Sequence, residues 1–335
     1  MTGAISTVRL LLIKTSSLGD VVHALPALSD AALAVPNLRV DWVVEEAFAP
    51  IAALHTSVDR VIPVAIRRWR RQLLSSGTWS QWSQFRSQLQ EHCYDLVLDA
   101  QGLAKSAFLA IQARGPRAGL NWASAREPLS SLAYRHKHPV NRSLHAIARN
   151  RLLMAQALGY LNSNAHLIDS PPRYGVSVKD MLGSQKIFCF HGSARQEKCW
   201  SKDSWVALGT ALSRQGHVLV FPSGNASEFQ EARAIVQAII ANATASAALP
   251  LAPEPMPLKA LISQLGEARA VIGVDTGLLH LSAAMGRPGI GIFVSTDPLQ
   301  FGALPESTAT PFVNLGKEES RSPDLVHRAV ESILS

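Results

Sequence analysis

Four short segments of this 335-residue chain concentrate the residue types that do chemistry. The first is Lys14-Thr15-Ser16-Ser17-Leu18-Gly19-Asp20, an acid behind a flexible glycine with hydroxyls around it. Asp20 reads in two ways: as the cap of a helix opening at Val21, a role Asp favours, or as a general base, a group worth roughly 10²–10⁴ in rate. The second is Asp275-Thr276-Gly277-Leu278-Leu279-His280. A helix starting there offers free N–H groups and a dipole that attract phosphate. Gly277 lets a ligand approach the backbone, and His280 follows Thr276 by one turn, so both are expected to face one ligand. The alternative is an ordinary cap beside a half-buried histidine. The third segment, His191-Gly192-Ser193-Ala194-Arg195-Gln196-Glu197-Lys198-Cys199-Trp200, offers small residues and then a point charge, which suits a phosphate. Its spacing is neither that of a P-loop nor that of a dinucleotide fingerprint. The fourth, Arg67-Arg68-Trp69-Arg70-Arg71, carries four guanidiniums that cannot all pair internally, and guanidinium forks suit carboxylate and phosphate. A solvated basic loop is the alternative.

The elements that must position these segments alternate in type. Short apolar runs at 9–14, 39–44, 60–64 and 96–100 read as strands. Between and after them, 21–34, 47–54, 79–92 and 144–158 read as helices, the last ending at Gly159. The stretch 161–173, with its Asn, Ser and Pro residues, reads as a linker. The alternation then restarts with strands at 187–190, 217–221, 270–274 and 289–293. Helices are expected at 202–215, 228–241, 258–265, 278–284 and 324–334. Alternation of this kind predicts βαβ units and parallel sheets. The expected organisation is a first α/β domain over 1–169, a second over 170–320, and a terminal helix within 321–335 that packs back on the first domain. Chemistry is expected at the carboxyl ends of the strands and in a cleft between the domains.

Composition narrows the function classes. The chain is 47% hydrophobic, enough for sizeable cores, and no apolar run approaches the roughly 18 residues of a membrane-spanning helix. No secretory leader is legible at the start, so a cytoplasmic protein is expected. Cys93, Cys189 and Cys199 match no metal or redox spacing and read as reduced thiols. The net charge of +7 lies wholly in the first half: from Gln101 to Ile168 there is one carboxylate, Glu127, against nine basic residues. The first half is therefore expected to meet something anionic. Nucleic acid, an anionic lipid surface and a phosphorylated or carboxylated substrate all satisfy that.

Taken together, the four segments resemble the bacterial lipopolysaccharide heptosyltransferases. The likeness runs from about Val8 to Pro298. Asp41-Trp42-Val43-Val44-Glu45-Glu46, Arg60 to Arg71, Asp99-Ala100-Gln101-Gly102-Leu103-Ala104-Lys105-Ser106, Ala125-Arg126-Glu127-Pro128-Leu129 and Arg287-Pro288 add to it. The resemblance implies a GT-B glycosyltransferase: α/β, with two Rossmann-like domains whose parallel sheets face a central cleft. It implies transfer of heptose from ADP-L-glycero-β-D-manno-heptose to the inner Kdo of Kdo2-lipid A, with inversion. It maps the catalytic base onto Asp20. The donor maps onto Ser193, Lys198, Glu228, Met256, Asp275, Thr276, Gly277 and His280, and the acceptor onto Arg67, Arg68, Arg70, Arg71, Arg126 and Arg149. Ser193-Ala194 stands where the family often has two threonines, so one hydroxyl is missing. No metal or other cofactor is implied. The expected setting is a monomer, peripheral on the cytoplasmic face of an anionic inner membrane, with no nucleic-acid partner. The alternatives, in order, are another ADP-sugar transferase of the same family, such as heptosyltransferase II, a sugar-nucleotide epimerase, and a nucleic-acid-binding protein.

Overall fold

The computed structural model describes residues 7–72, 74–176 and 185–335. The chain divides into two compact units, Met1–Ser177 and Val178–Ser335. The first unit carries six strands: β1 (Val8–Ile13), β2 (Leu38–Glu45), β3 (Val58–Val64), β4 (Leu96–Asp99), β5 (Arg117–Leu120) and β6 (His136–His138). They pair in the order β3-β2-β1-β4-β5-β6, all parallel. Leu10, Leu11, Leu12 and Ile13 are all fully buried, so both faces of β1 are covered, as a parallel sheet between helices requires. One face packs Leu11, Ile13, Val43 and Val97 against Phe85, Leu89 and Leu109. Each such side chain stabilises the unit by about 1.5–3 kcal/mol.

The second unit carries β7 (Lys186–Phe190), β8 (Val218–Val220), β9 (Ala270–Val274), β10 (Gly289–Ile292) and β11 (Phe312–Leu315). Their order is β11-β10-β9-β7-β8, again parallel. Ile187, Ile272, Ile290 and Ile292 meet Trp205, Leu208 and Leu212 of the helix Lys202–Arg214 in its core.

Several expectations are corrected. The helix read over 21–34 is two helices, Leu18–Val22 and Leu25–Ala34. Pro26 lacks an N–H and fits only the first turn of a helix, so a new helix starts at Leu25. The stretch read as a linker folds onto the first unit. It contains the helix Ala165–Asp169, and Arg151 donates to the Ile168 and Ser170 carbonyls at 3.1 and 2.7 Å. Arg151 is buried against Asp30, Nε to Oδ2 2.6 Å, and a buried guanidinium needs those acceptors. The unit therefore ends at Ser177 rather than 169. The terminal helix is Pro323–Leu334. Its apolar face, Val326, Val330 and Ile333, lies in the second unit's core with Trp205 and Ile290. The strands β5, β6 and β11 and the helix Ala104–Gln112 went unread in the sequence.

Candidate active site

Each sheet has a point where successive crossovers run in opposite directions, and such points gather ligand-binding residues at the strands' carboxyl ends. In the second unit that point lies between β7 and β9, paired with Phe190 opposite Gly273. The loops leaving these two strands are the His191–Trp200 and Asp275–His280 segments.

At the end of β9, Asp275 is buried and fully engaged. Its Oδ2 accepts from Lys198 Nζ and from Thr296 Oγ1, both at 2.6 Å, and its Oδ1 faces His280 Nε2 at 3.4 Å. Burial works to raise the Asp275 pKa. The bonds from His280, Lys198 and Thr296 outweigh it and hold the carboxyl well below the usual carboxylate range. Ser193 Oγ donates to the Asp275 carbonyl at 3.2 Å, which ties the two loops together. Thr276 is the N-cap of the helix Gly277–Ala284. His280 is 4% exposed and turns to Asp275, so it does not share an outward face with Thr276. Glu228 lies in the first turn of the helix Ala226–Ala241, and its Oε2 accepts from Gly224 N at 2.7 Å. Met256 is half-buried in the loop ahead of the helix Leu258–Leu265.

In the first unit the corresponding point lies between β1 and β4. Ser17, not Asp20, caps the helix that follows β1, and Asp20 is its third residue. The Asp20 Oδ2 reaches back to Ser17 N at 2.8 Å and Ser17 Oγ at 3.1 Å. Its Oδ1 has no hydrogen-bond partner among the described residues. Bracing the Ser17 cap and presenting a carboxylate oxygen are thus done by different atoms of the Asp20 side chain.

The loop after β4 supports the one after β1. Gln101 Oε1 accepts from Thr15 N and Ser16 N at 3.1 and 3.2 Å, and Lys105 Nζ donates to Ser16 Oγ at 3.2 Å. Buried Lys14 donates to the Ala100 carbonyl at 2.8 Å. Burial pushes its ammonium's pKa down, and the charges of Asp20, Arg149, Asp99 and Arg126 all act on it. Asp99 is fully buried; it caps the Gln101 and Gly102 N–H groups and accepts from Tyr134 OH at 2.6 Å. Gly102 turns this loop at φ +67°, a left-handed conformation that glycine adopts without strain. A Cβ at Gly119 would sit 2.5 Å from the Tyr134 ring, so glycine there admits the tyrosine across β5 to Asp99.

The basic segment forms the short helix Ile66–Trp69 and the turn at Arg70 and Arg71. Arg68 is already paired with Glu46, Nη2 to Oε2 2.9 Å, and bonded to Gln81. The Arg67 guanidinium lies 5.6 Å over the Phe48 ring. Arg70 and Arg71 are exposed and have no ion-pair partner among the described residues. Arg126 is exposed; Arg149 is half-buried, its Nη2 3.5 Å from the Ser124 carbonyl, and burial lowers its pKa.

Thr296, Gln101 and Lys105 were not singled out individually from the sequence. Thr296 follows β10, which pairs with β9, so strand adjacency is the signal that brings it to Asp275.

Two parallel Rossmann-like sheets with these loops at their switch points define the class by fold: an α/β protein of GT-B architecture. The family described as Glycosyltransferase family 9 (heptosyltransferase) matches residues 82–331. Lipopolysaccharide heptosyltransferase 1 of Pseudomonas aeruginosa is 42% identical over 322 residues, 95% of this chain and 86% of that protein. The Escherichia coli K12 protein of the same name is 39% identical over 291 residues, 87% and 89% of the two chains. The solved E. coli heptosyltransferase WaaC with ADP superposes with a TM-score of 0.84 at 35% identity, covering 97% of this chain and 99% of that one. The chain belongs to glycosyltransferase family 9, the heptosyltransferases, and is an enzyme of heptose transfer in lipopolysaccharide core biosynthesis. Family membership sets aside the epimerase and the nucleic-acid-binding readings.

Proposed function

We propose that this enzyme moves L-glycero-D-manno-heptose from ADP-L-glycero-β-D-manno-heptose to the inner Kdo of Kdo2-lipid A, inverting the anomeric centre. Relatives called lipopolysaccharide heptosyltransferase 1 support heptose transfer to a lipopolysaccharide acceptor, and a solved relative holding ADP-2-deoxy-2-fluoro heptose supports the ADP-heptose donor. The single observation that carries it is the Lys198–Asp275 pair at 2.6 Å, beside the open start of the helix Gly277–Ala284. A fixed ammonium next to free helix N–H groups suits a diphosphate.

Asp20 takes the acceptor hydroxyl's proton as the oxygen attacks the anomeric carbon. ADP leaves from the opposite face, and its growing negative charge falls on Lys198 and on the N–H groups at Gly277. These groups are in place before the bond breaks, so they need no reorganisation. The Asp275 carboxylate, already engaged by Lys198, Thr296 and His280, does not touch phosphate; its part is to fix Lys198. Ser193, Glu228, Met256, Thr276 and His280 complete the donor site. Arg70, Arg71, Arg126 and Arg149 meet the acceptor's carboxylates and phosphates. Arg67 and Arg68 join them only by leaving Phe48 and Glu46.

No helix among the described residues is long and apolar enough to cross a membrane. The first unit's basic surplus favours peripheral contact with an anionic cytoplasmic leaflet, at about 1 kcal/mol per Lys or Arg close to the surface, by a monomer. Incubating the protein with ADP-heptose and Kdo2-lipid A tests the reading: product mass gains one heptose. Active donor and no gain in mass would sink it.

A further inference from the structure

The first unit turns apolar side chains outward on adjoining elements. On the helix Ala104–Gln112, Phe108 and Ile111 lie one turn apart and are 53% and 50% exposed. On the 3₁₀ helix Pro128–Ala133, Leu129 and Leu132 are 66% and 68% exposed, and a three-residue turn puts them on one side. The usual pattern is inverted there. The two serines between the leucines are buried, and Ser130 Oγ donates to the Glu127 carbonyl at 2.7 Å. The two elements pack on each other, and Glu127 Oε2 ties them by accepting from Ala104 N at 2.7 Å. The helix Ala104–Gln112 also packs on the helix Ser76–Gln90. There Trp82 stacks on Phe108, ring centroids 5.5 Å apart, and Trp79, one turn before Trp82, is 61% exposed.

The free charges around these side chains are of one sign. Arg114 lies two residues beyond Gln112, and Arg126 and Arg135 stand two residues before and after the 3₁₀ helix. All three are exposed and have no ion-pair partner among the described residues. Glu127, the one carboxylate between Gln101 and Ile168, is taken up by the Ala104 N–H. Single exposed apolar side chains are ordinary, whereas a run of them across neighbouring elements, rimmed by cations, marks a docking face. A second copy of the chain would set one arginine rim against another, which repels. An anionic bilayer satisfies both parts: its headgroups attract arginine, and its interface accepts leucine, phenylalanine and tryptophan.

We propose that this face docks the enzyme on an anionic lipid bilayer, with Phe108, Ile111, Leu129 and Leu132 entering the acyl boundary and the arginines meeting headgroup phosphates. The proposal rests on the reading of the acceptor as lipid-linked. The face is continuous with the loop that carries the base. Lys105, in the first turn of the helix Ala104–Gln112, donates to Ser16 Oγ at 3.2 Å, and Glu127 N donates to the Gly102 carbonyl at 3.0 Å. Docking there holds the bilayer beside that loop, so the acceptor's sugar is reached while its acyl chains stay in the membrane.

The test floats the full chain, without acceptor, on vesicles of phosphatidylglycerol and phosphatidylethanolamine and on vesicles of phosphatidylcholine alone. The wild-type protein partitions onto the anionic vesicles and much less onto the neutral ones. Leu129→Ser with Leu132→Ser, and Phe108→Ser with Ile111→Ser, each lower the partition coefficient by about tenfold or more. Arg114→Ala with Arg135→Ala lowers it by about tenfold. All three double variants keep wild-type transfer to a water-soluble Kdo2 acceptor without acyl chains and lose transfer to Kdo2-lipid A in vesicles. Wild-type protein that transfers to neither acceptor overturns the acceptor reading, and vesicle binding still decides the docking face. Wild-type vesicle binding by the folded leucine and phenylalanine variants overturns the face. So does loss of self-association in sedimentation with normal vesicle binding, which would make it a contact between copies. If the Phe108 variant does not fold, phosphatidylglycerol brominated on its acyl chains decides. It quenches the tryptophan fluorescence of bound wild-type protein, and less so in Trp79→Phe; no quenching, or equal quenching in both, overturns the proposal.

Discussion

Lys198 Nζ stands 2.6 Å from Asp275 Oδ2, with 19% and 7% of the two side chains exposed. The pair joins the loop after β7 to the loop after β9, so one contact both closes the switch point and aims the cation. Breaking a largely buried pair leaves an uncompensated charge. Asp275→Asn therefore lowers stability by about 3 kcal/mol and raises the donor KM, measured by chemical denaturation and initial rates. Asp275 is more acidic in the fold than in the unfolded chain, so its stabilisation is complete above pH ~4 and is lost as pH falls below that. The difference between wild type and Asp275→Asn is constant through the neutral range and narrows only in strong acid.

Asp20→Asn keeps an oxygen for the Ser17 N–H and removes the base. kcat falls by about 10²–10⁴, while ADP affinity by calorimetry and thermal midpoint stay at wild-type values. A near-normal rate with intact donor binding rules out Asp20 as the base.

The four guanidiniums of the basic segment divide by their partners. Arg70→Ala and Arg71→Ala raise the Kdo2-lipid A KM and leave thermal midpoint and donor KM unchanged. Arg68→Ala breaks the Glu46 pair and lowers the thermal midpoint slightly, with a smaller effect on the acceptor KM. Added salt raises the wild-type acceptor KM by screening exposed charges, about 8 Å being the screening length at 0.15 M. Equal KM effects on donor and acceptor from Arg70 and Arg71 would count against an acceptor role.

His55 is buried between Ser29 and Ser57, its Nε2 2.9 Å from Ser29 Oγ and its Nδ1 accepting from Ser57 N at 3.1 Å. Burial lowers its pKa from 6.5 to about 4. The unfolded chain therefore binds this proton first as pH falls. His55 costs no stability above pH 6.5; the first unit loses up to about 3 kcal/mol as pH drops through that window, and the loss levels off below pH 4. In His55→Gln this part of the pH dependence disappears, which denaturant titrations at pH 7.5, 5.5 and 4 measure.

The sequence by itself determined that the candidate site residues stand at the ends of strands. β1, β4, β7 and β9 are apolar runs because parallel strands covered on both faces must be, and each ends abruptly in polar or small residues. Asp20, Ser193, Lys198, Asp275 and Thr276 follow from those endings. It also determined the helix that Gly159 closes at φ +79°, since few other residues adopt that turn. Strand β6 was illegible because His-Lys-His is a short, largely exposed edge with no apolar alternation. Tertiary structure alone decided that Thr296 reaches Asp275, that Tyr134 crosses Gly119 to Asp99, and that Glu46 occupies Arg68. Hydrophobic periodicity records which face of a segment is buried. The order in which strands lie side by side is set by crossovers far apart in the chain, and that order alone brings these partners within hydrogen-bonding distance.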